Sequence, residues 1–232
     1  MNFANRTVVV TGGAGALGAA VVANLIGQGA RCVVPYVHEA EMQRFAHRAE
    51  KSVALVAVRD LAAEADVAKV YAQAGSPLWA SIHIAGGFAM GKVADTDRAA
   101  LMAQIEQNLV SCFLCCRAAV NAFGTNGGRI VNVAARPALE PRLGAGMSAY
   151  TIAKSGVAAL TMALAEEAAK DGILVNAVAP SIMDTPANRA AMPKADFAAW
   201  PKVEEVAATI VFLASPENRV TRGAIVPVFG KS

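Results

Sequence analysis

Two residues four positions apart, in Tyr150-Thr151-Ile152-Ala153-Lys154, carry the plainest chemistry in this 232-residue chain. On a helix, positions i and i+4 share a face, so the spacing sets an ammonium beside a phenol. An ordinary phenol, with a pKa of about 10, holds its proton too tightly for acid–base work near neutrality. A nearby cation stabilises the phenolate and lowers that pKa. The pair therefore reads as a proton donor to a carbonyl oxygen, or an acceptor in the reverse sense. The motif alone is common on helices. Its weight comes from its place, opening a long helical stretch that follows the β-branched run Arg129-Ile130-Val131-Asn132-Val133.

A second signal stands near the start. Thr11-Gly12-Gly13-Ala14-Gly15-Ala16-Leu17-Gly18 follows the strand-like Thr7-Val8-Val9-Val10 and opens a helical pattern. A glycine-rich strand-to-helix turn lets backbone approach a pyrophosphate, to which the helix N-terminus offers its unpaired N–H groups.

Both signals sit in an alternation of short β-branched runs and longer amphipathic stretches. Thr7–Val10 precedes a helix over Ala16–Gly27, Cys32–Val34 one over Glu39–Ala49, and Val53–Val58 one over Ala62–Ala74. Leu78–Ile84 precedes one long helix over about Asp97–Phe123, and Ile130–Val133 another over Ser148–Lys170. Ile173–Val178, a helix over Val203–Ala214 and Ala224–Val228 complete the series. Such repetition predicts an α/β chain, residues 1–232 forming a single domain, with a doubly wound parallel sheet and helices on both faces. A composition 55% hydrophobic and 17% charged suits a sheet buried on both sides.

The net charge of +3 comes from scattered residues, with no basic block to track a phosphate backbone, so nucleic acid is not an expected partner. No apolar run approaches the roughly 18–20 uncharged residues of a membrane span, and the first six residues lack the marks of a secretory signal. A cytoplasmic location and no membrane partner are expected. The cluster Cys112, Cys115, Cys116 lies in an apolar helical stretch without a nearby histidine in sequence; it reads as core or interface packing, and no metal site is expected.

These segments together resemble the short-chain dehydrogenase/reductase family over nearly the whole chain. The turn is similar to that family's Thr-Gly-x-x-x-Gly-x-Gly, with Ala16 in place of the middle glycine and Gly15 one position earlier. The resemblance implies a Rossmann-type fold and an NAD(P)(H)-dependent oxidoreductase acting on a small carbonyl, quinonoid or imine-like substrate. It puts the cofactor against Gly12, Ala14, Gly15, Ala16, Leu17, Tyr36, His38, Asp60, Leu61, Ala85, Gly86, Pro180, Met183 and Thr185, as well as Tyr150 and Lys154. Lys154 would also hold the nicotinamide ribose, and Asn108 would support a water-linked proton relay. Where the family places a ribose-binding carboxylate after the second strand, this chain has Tyr36, Val37 and His38, which favours NADP, with NAD the alternative. Asp60 reads either as an adenine contact or as a cap of the next helix.

Three departures stand out. His83 replaces the first Asn of Asn-Asn-Ala-Gly and reads as a hydrogen-bonded structural residue, and Ser181 replaces a glycine. The catalytic serine's place falls on Ala135, in a stretch locally similar to dihydropteridine reductase, which also keeps Tyr and Lys without it. Ser148 reads as a helix cap or, less simply, a substitute hydroxyl. Ala135, Arg136 and Met147 are the expected substrate contacts; Phe88, Met90 and Trp200 also lie in loops expected to converge there, and the proline-marked segment 185–201 is short enough to leave the site open. The alternative to an enzyme is a dinucleotide-binding sensor or scaffold without turnover. The resemblance also implies a homo-oligomer, tetramer or dimer, built on the two long helices with faces such as Ala118-Ala119 and Ala158-Ala159.

Overall fold

The computed structural model describes residues 1–232. Seven strands form one sheet in the order β3-β2-β1-β4-β5-β6-β7, every pairing parallel. They are β1 (Thr7–Thr11), β2 (Arg31–Tyr36), β3 (Val53–Ala57), β4 (Leu78–His83), β5 (Gly128–Val133), β6 (Ile173–Pro180) and β7 (Ile225–Val228). The helices between them are α1 (Ala16–Gly27), α2 (Glu39–Arg44), α3 (Glu64–Ala74), α4 (Arg98–Ile105), α5 (Ser111–Phe123), α6 (Arg136–Leu139), α7 (Ser148–Glu167), α8 (Pro186–Ala191) and α9 (Val203–Ala214).

Alternation along each strand feeds two separate cores. Val8 and Val10 face one layer with Val21, Val22 and Leu25 of α1 and Ile210 and Val211 of α9. Val9 and Val33 face the other, with Val67 and Val70 of α3, Cys112, Cys115 and Cys116 of α5, and Val157 of α7. Because both strand faces are buried, the strands read as unbroken apolar runs. The chain order reverses between β1 and β4, and ligands of such sheets bind in the crevice at the carboxyl ends of strands beside that reversal. Gly12 (φ +67°) ends β1 so close to β4 that a Cβ there would come within 2.7 Å of the Ala85 amide nitrogen.

The expected single helix over Asp97–Phe123 is interrupted. Residues Glu106–Val110 form a π-helical turn between α4 and α5. Asn108 is the reason: its side-chain amide donates to the Gln104 carbonyl at 3.0 Å, the acceptor that its own backbone N–H would use in an α-helix. The run from Arg98 to Asn126 is also long and apolar enough, by length and composition, to cross a membrane. No such run was expected from sequence. Here its Cys112, Cys115, Cys116 and Ala119 face packs on the sheet.

Candidate active site

The β1–α1 turn is held by close backbone approach. A Cβ at Gly18 would run into the Gly12 carbonyl oxygen, whereas at Gly15 it would meet only that oxygen at 3.4 Å, ordinary contact. Gly15 is the N-cap of α1, with no side-chain cap and no acidic residue in the first turn. The first-turn amides are therefore left for an outside acceptor. The Ala16 methyl is exposed and the turn is regular, with the Ala19 amide donating to the Gly15 carbonyl at 2.8 Å. These features fit a dinucleotide's phosphates.

Tyr36 ends β2 half-buried, and His38 is the exposed N-cap of α2. The Tyr36 carbonyl accepts the Val58 amide at 3.0 Å, which sets exposed Arg59 just beyond the end of β2. The Arg59 side chain has no ion pair or hydrogen bond in the structure, and no local pattern marks it, because it follows the strand beside β2 rather than β2 itself. Asp60 does not cap α3, whose N-cap is Ala63. Its carboxylate accepts the Ala62 amide at 2.8 Å, leaving it exposed beside buried Leu61.

At the switch point lies a cleft of ≈ 220 Å³ lined by Leu17, Ile84, Gly86, Gly87, Phe88, Asn108 and Val133 on one side. Ala134, Ala135, Tyr150, Lys154, Pro180, Ser181 and Met183 complete it. It thus gathers Tyr150, Lys154, Asn108 and Ala135 with Leu17, Gly86, Pro180 and Met183. Thr185, buried, does not line it; it caps α8, its hydroxyl accepting the Asn188 amide at 3.2 Å.

Two expected substrate contacts lie outside the cleft lining. Arg136 does not line the cleft: its guanidinium lies over the Phe229 ring at 4.6 Å, pairs with Glu140 and donates to the Ser232 carbonyl at 2.7 Å. Met147 is the N-cap of α7, joined to Gly91 by a backbone bridge. Ser148 is consequently the first helical residue and neither caps α7 nor lines the cleft. Trp200 is buried against Phe197, not presented to the site.

Tyr150 and Lys154 point together, the ammonium 5.9 Å from the phenol ring centroid. Lys154 is 6% exposed and donates to the Val133 carbonyl at 2.8 Å. Burial lowers its pKa to about 8, with nearby Cys112 acting in the opposite sense. Burial also raises Tyr150 to about 12. The phenol thus moves opposite to the expected lowering, and desolvation is the cause. Tyr150 holds its proton at neutral pH, as a donor must.

Asn108 spends its amide on structure, donating to the Gly87 carbonyl at 3.0 Å and accepting from the Gly87 amide at 3.2 Å. It clamps the loop after β4, where a Cβ on Gly86 would come within 2.5 Å of the Asn108 carbonyl oxygen. His83 is buried in a polar network. Asn132 donates to Thr161 at 2.9 Å, so its carbonyl faces His83 Nδ1 at 2.8 Å, leaving Nε2 to accept from the Ser81 hydroxyl at 2.8 Å. The cysteines do more than fill space, since Cys116 Sγ lies 3.5 Å from both His83 Nδ1 and Asn132 Oδ1.

The comparisons with known proteins identify the family. The short chain dehydrogenase family matches residues 6–196. The cis-4-hydroxycyclohexanecarboxylate dehydrogenase of Sinomonas cyclohexanicum is 37% identical, covering 98% of this chain and 96% of its own. The galactitol 2-dehydrogenase of Rhizobium johnstonii is 34% identical over 95% and 92%. A solved oxidoreductase of the short chain dehydrogenase/reductase family from Burkholderia thailandensis superposes with a TM-score of 0.86 at 27% identity, covering 97% and 91%. This chain belongs to the short-chain dehydrogenase/reductase family. It is an oxidoreductase that works with a nicotinamide cofactor, and nothing in its relatives favours the sensor or scaffold alternative.

Proposed function

We propose that the protein is an NADP(H)-linked reductase of a small activated carbonyl, quinonoid or imine-like compound. The observation that carries this is a half-buried Tyr150 whose hydroxyl has no partner in the protein, lining one cleft with Lys154 and with Ala135. The β1–α1 turn, Ala85, Gly86, Lys154, Pro180, Met183 and Thr185 would hold the dinucleotide, with Asp60 and Leu61 toward the adenine. When bound in reduced form, it supplies the hydride. Tyr150 Oη donates its proton to the substrate oxygen, and the Lys154 ammonium stabilises the phenolate left behind. Asn108 fixes the Gly86-Gly87 backbone against the cleft floor. Any relay through Asn108 runs over the backbone of the π-turn, because its amide is already taken up. With a methyl at Ala135, no second side-chain hydroxyl polarises the carbonyl, which favours substrates that accept hydride readily.

The preference for NADP is supported by the lack of a carboxylate at Tyr36-Val37-His38 and by unpaired Arg59 beside them. A cytoplasmic location is supported by four free cysteines. Assembly into a homo-oligomer is supported by exposed Phe113 on α5 and exposed Ile152 and Met162 on α7.

The test is NADPH consumption with a panel of quinones and vicinal dicarbonyls. Turnover should fall about 10²- to 10⁴-fold in Tyr150→Phe with NADPH affinity retained. Equal rates in the variant, or no turnover with any member of the panel, would refute the proposal.

A further inference from the structure

The cleft also says what kind of molecule it takes beside the dinucleotide, to which Leu17, Gly86, Lys154, Pro180 and Met183 are assigned above. Of the fourteen residues lining it, Lys154 is the single charged one, and it sits almost wholly buried with one N–H on the Val133 carbonyl. The other side-chain donors are spent. Both N–H groups of Asn108 go to backbone carbonyls, and the Ser181 hydroxyl donates to the Phe229 carbonyl at 2.9 Å while accepting from Ser232. Apart from the remaining N–H groups of Lys154, assigned above to the dinucleotide, only the Tyr150 hydroxyl has no partner.

Phe88 stands against that hydroxyl's ring. The two rings meet edge to face, centroids 5.1 Å apart at 86°. Phe88 is nevertheless 59% exposed and Met90 68% exposed, unusual for large apolar side chains in a fixed position. The backbone that carries them is held at both ends: the Gly91 amide donates to the Gly146 carbonyl at 2.8 Å, tying the loop after β4 to the loop before α7, and Asn108 clamps the same loop at Gly87. An ordered apolar rim left open to solvent beside one free hydroxyl is built to be covered by something apolar.

We propose that the site selects a neutral, flat, largely apolar ring bearing a conjugated carbonyl, with Phe88 as the specificity-determining residue. This rests on the reductase reading and narrows it. One hydrogen bond, from Tyr150, orients the carbonyl; the rest of the ring is recognised by area against Phe88 of the cleft wall, with exposed Met90 on the loop beyond it. The anionic, polyhydroxylated and phosphorylated members of the same chemical group are excluded, because their polar groups would be desolvated against these walls without partners. In the reaction the carbonyl π bond breaks, its carbon gains the hydride and its oxygen takes the Tyr150 proton, while the nicotinamide loses two electrons.

The experiment compares 1,4-naphthoquinone with 1,4-naphthoquinone-2-sulfonate as acceptors from NADPH. The sulfonate withdraws electrons and makes the better hydride acceptor in solution, so a preference for the neutral quinone comes from the pocket. The neutral quinone should show a kcat/KM at least tenfold higher. Phe88→Ala should raise its KM about tenfold, with NADPH affinity unchanged and the sulfonate's kcat/KM altered less than twofold. In parallel, calorimetry follows 2-naphthol and 2-naphthol-6-sulfonate binding to the NADPH-loaded protein, a readout that needs no turnover. If neither quinone is reduced, the reductase reading fails, and the naphthol pair still decides the pocket. Equal or tighter binding of the sulfonate, or a Phe88→Ala variant that binds 2-naphthol as the parent does, overturns the proposal.

Discussion

Ala135 leaves a substrate carbonyl with one side-chain donor, Tyr150, where the family pattern supplies two. Removing one preorganised donor costs about 3 kcal/mol of transition-state stabilisation in comparable sites. Ala135→Ser should therefore speed reduction of an unactivated ketone by 10²-fold or so, while changing quinone turnover little; steady-state kinetics on both would show it, and equal gains on the two would contradict the account. Lys154 carries a cost of the opposite kind. Its pKa of about 8 lies below the 10.5 of the unfolded chain. Between those values the unfolded state binds the proton and the folded state does not, so stability rises with pH through that window. Below pH 8 the folded protein bears the buried charge, a penalty of about 3 kcal/mol. Lys154→Met should thus be inactive yet more stable at pH 7, by about 1–2 kcal/mol after losing the bond to Val133, and its urea midpoint should no longer climb between pH 8 and 10. At this scale the pair and its spacing were legible from sequence, since helix geometry alone makes i and i+4 neighbours. The direction of the phenol's shift was not, because it depends on how deeply the fold buries Tyr150.

The elements that hold these residues were legible where local pattern decides them. β1, its glycine turn and α1 follow from a β-branched run, close-packed glycines and an apolar periodicity. Gly18 is the sharpest case: any side chain there meets the Gly12 carbonyl, so Gly18→Ala should abolish NADPH binding by fluorescence and lower stability by more than the roughly 1 kcal/mol gain in helix propensity. Gly15→Ala, whose added methyl would meet only the Gly12 oxygen at 3.4 Å, should do neither by comparison. The π-turn was not legible, because one asparagine in an apolar helical stretch does not announce that its amide will take the Gln104 carbonyl. Arg136 misled for a related reason. Its position after β5 marks the site, but only the fold brings Phe229, Glu140 and Ser232 close enough to turn its guanidinium away.

For the whole molecule, strand order decides what meets at the cleft. The alternation of elements predicted a parallel, doubly wound sheet, and the reversal between β1 and β4 then brings the glycine turn, the Gly86 loop and α7 to one crevice. Contacts between neighbouring strands were out of reach of that reasoning, which is why Arg59, set beside the end of β2 by β3, escaped it. Arg59→Ala should raise the KM for NADPH about tenfold and leave that for NADH unchanged; a common effect on both would place Arg59 outside the ribose-phosphate contacts.

The central claim is that Tyr150 hands its proton to a carbonyl as hydride arrives. Single-turnover reduction of 1,4-naphthoquinone with 4-deuterated NADPH measures it most directly. The parent should show a primary isotope effect on cofactor oxidation when the transferring face is deuterated, at a rate that drops at least 10²-fold in Tyr150→Phe with unaltered NADPH binding. Transfer at the parent's rate in that variant would contradict the account.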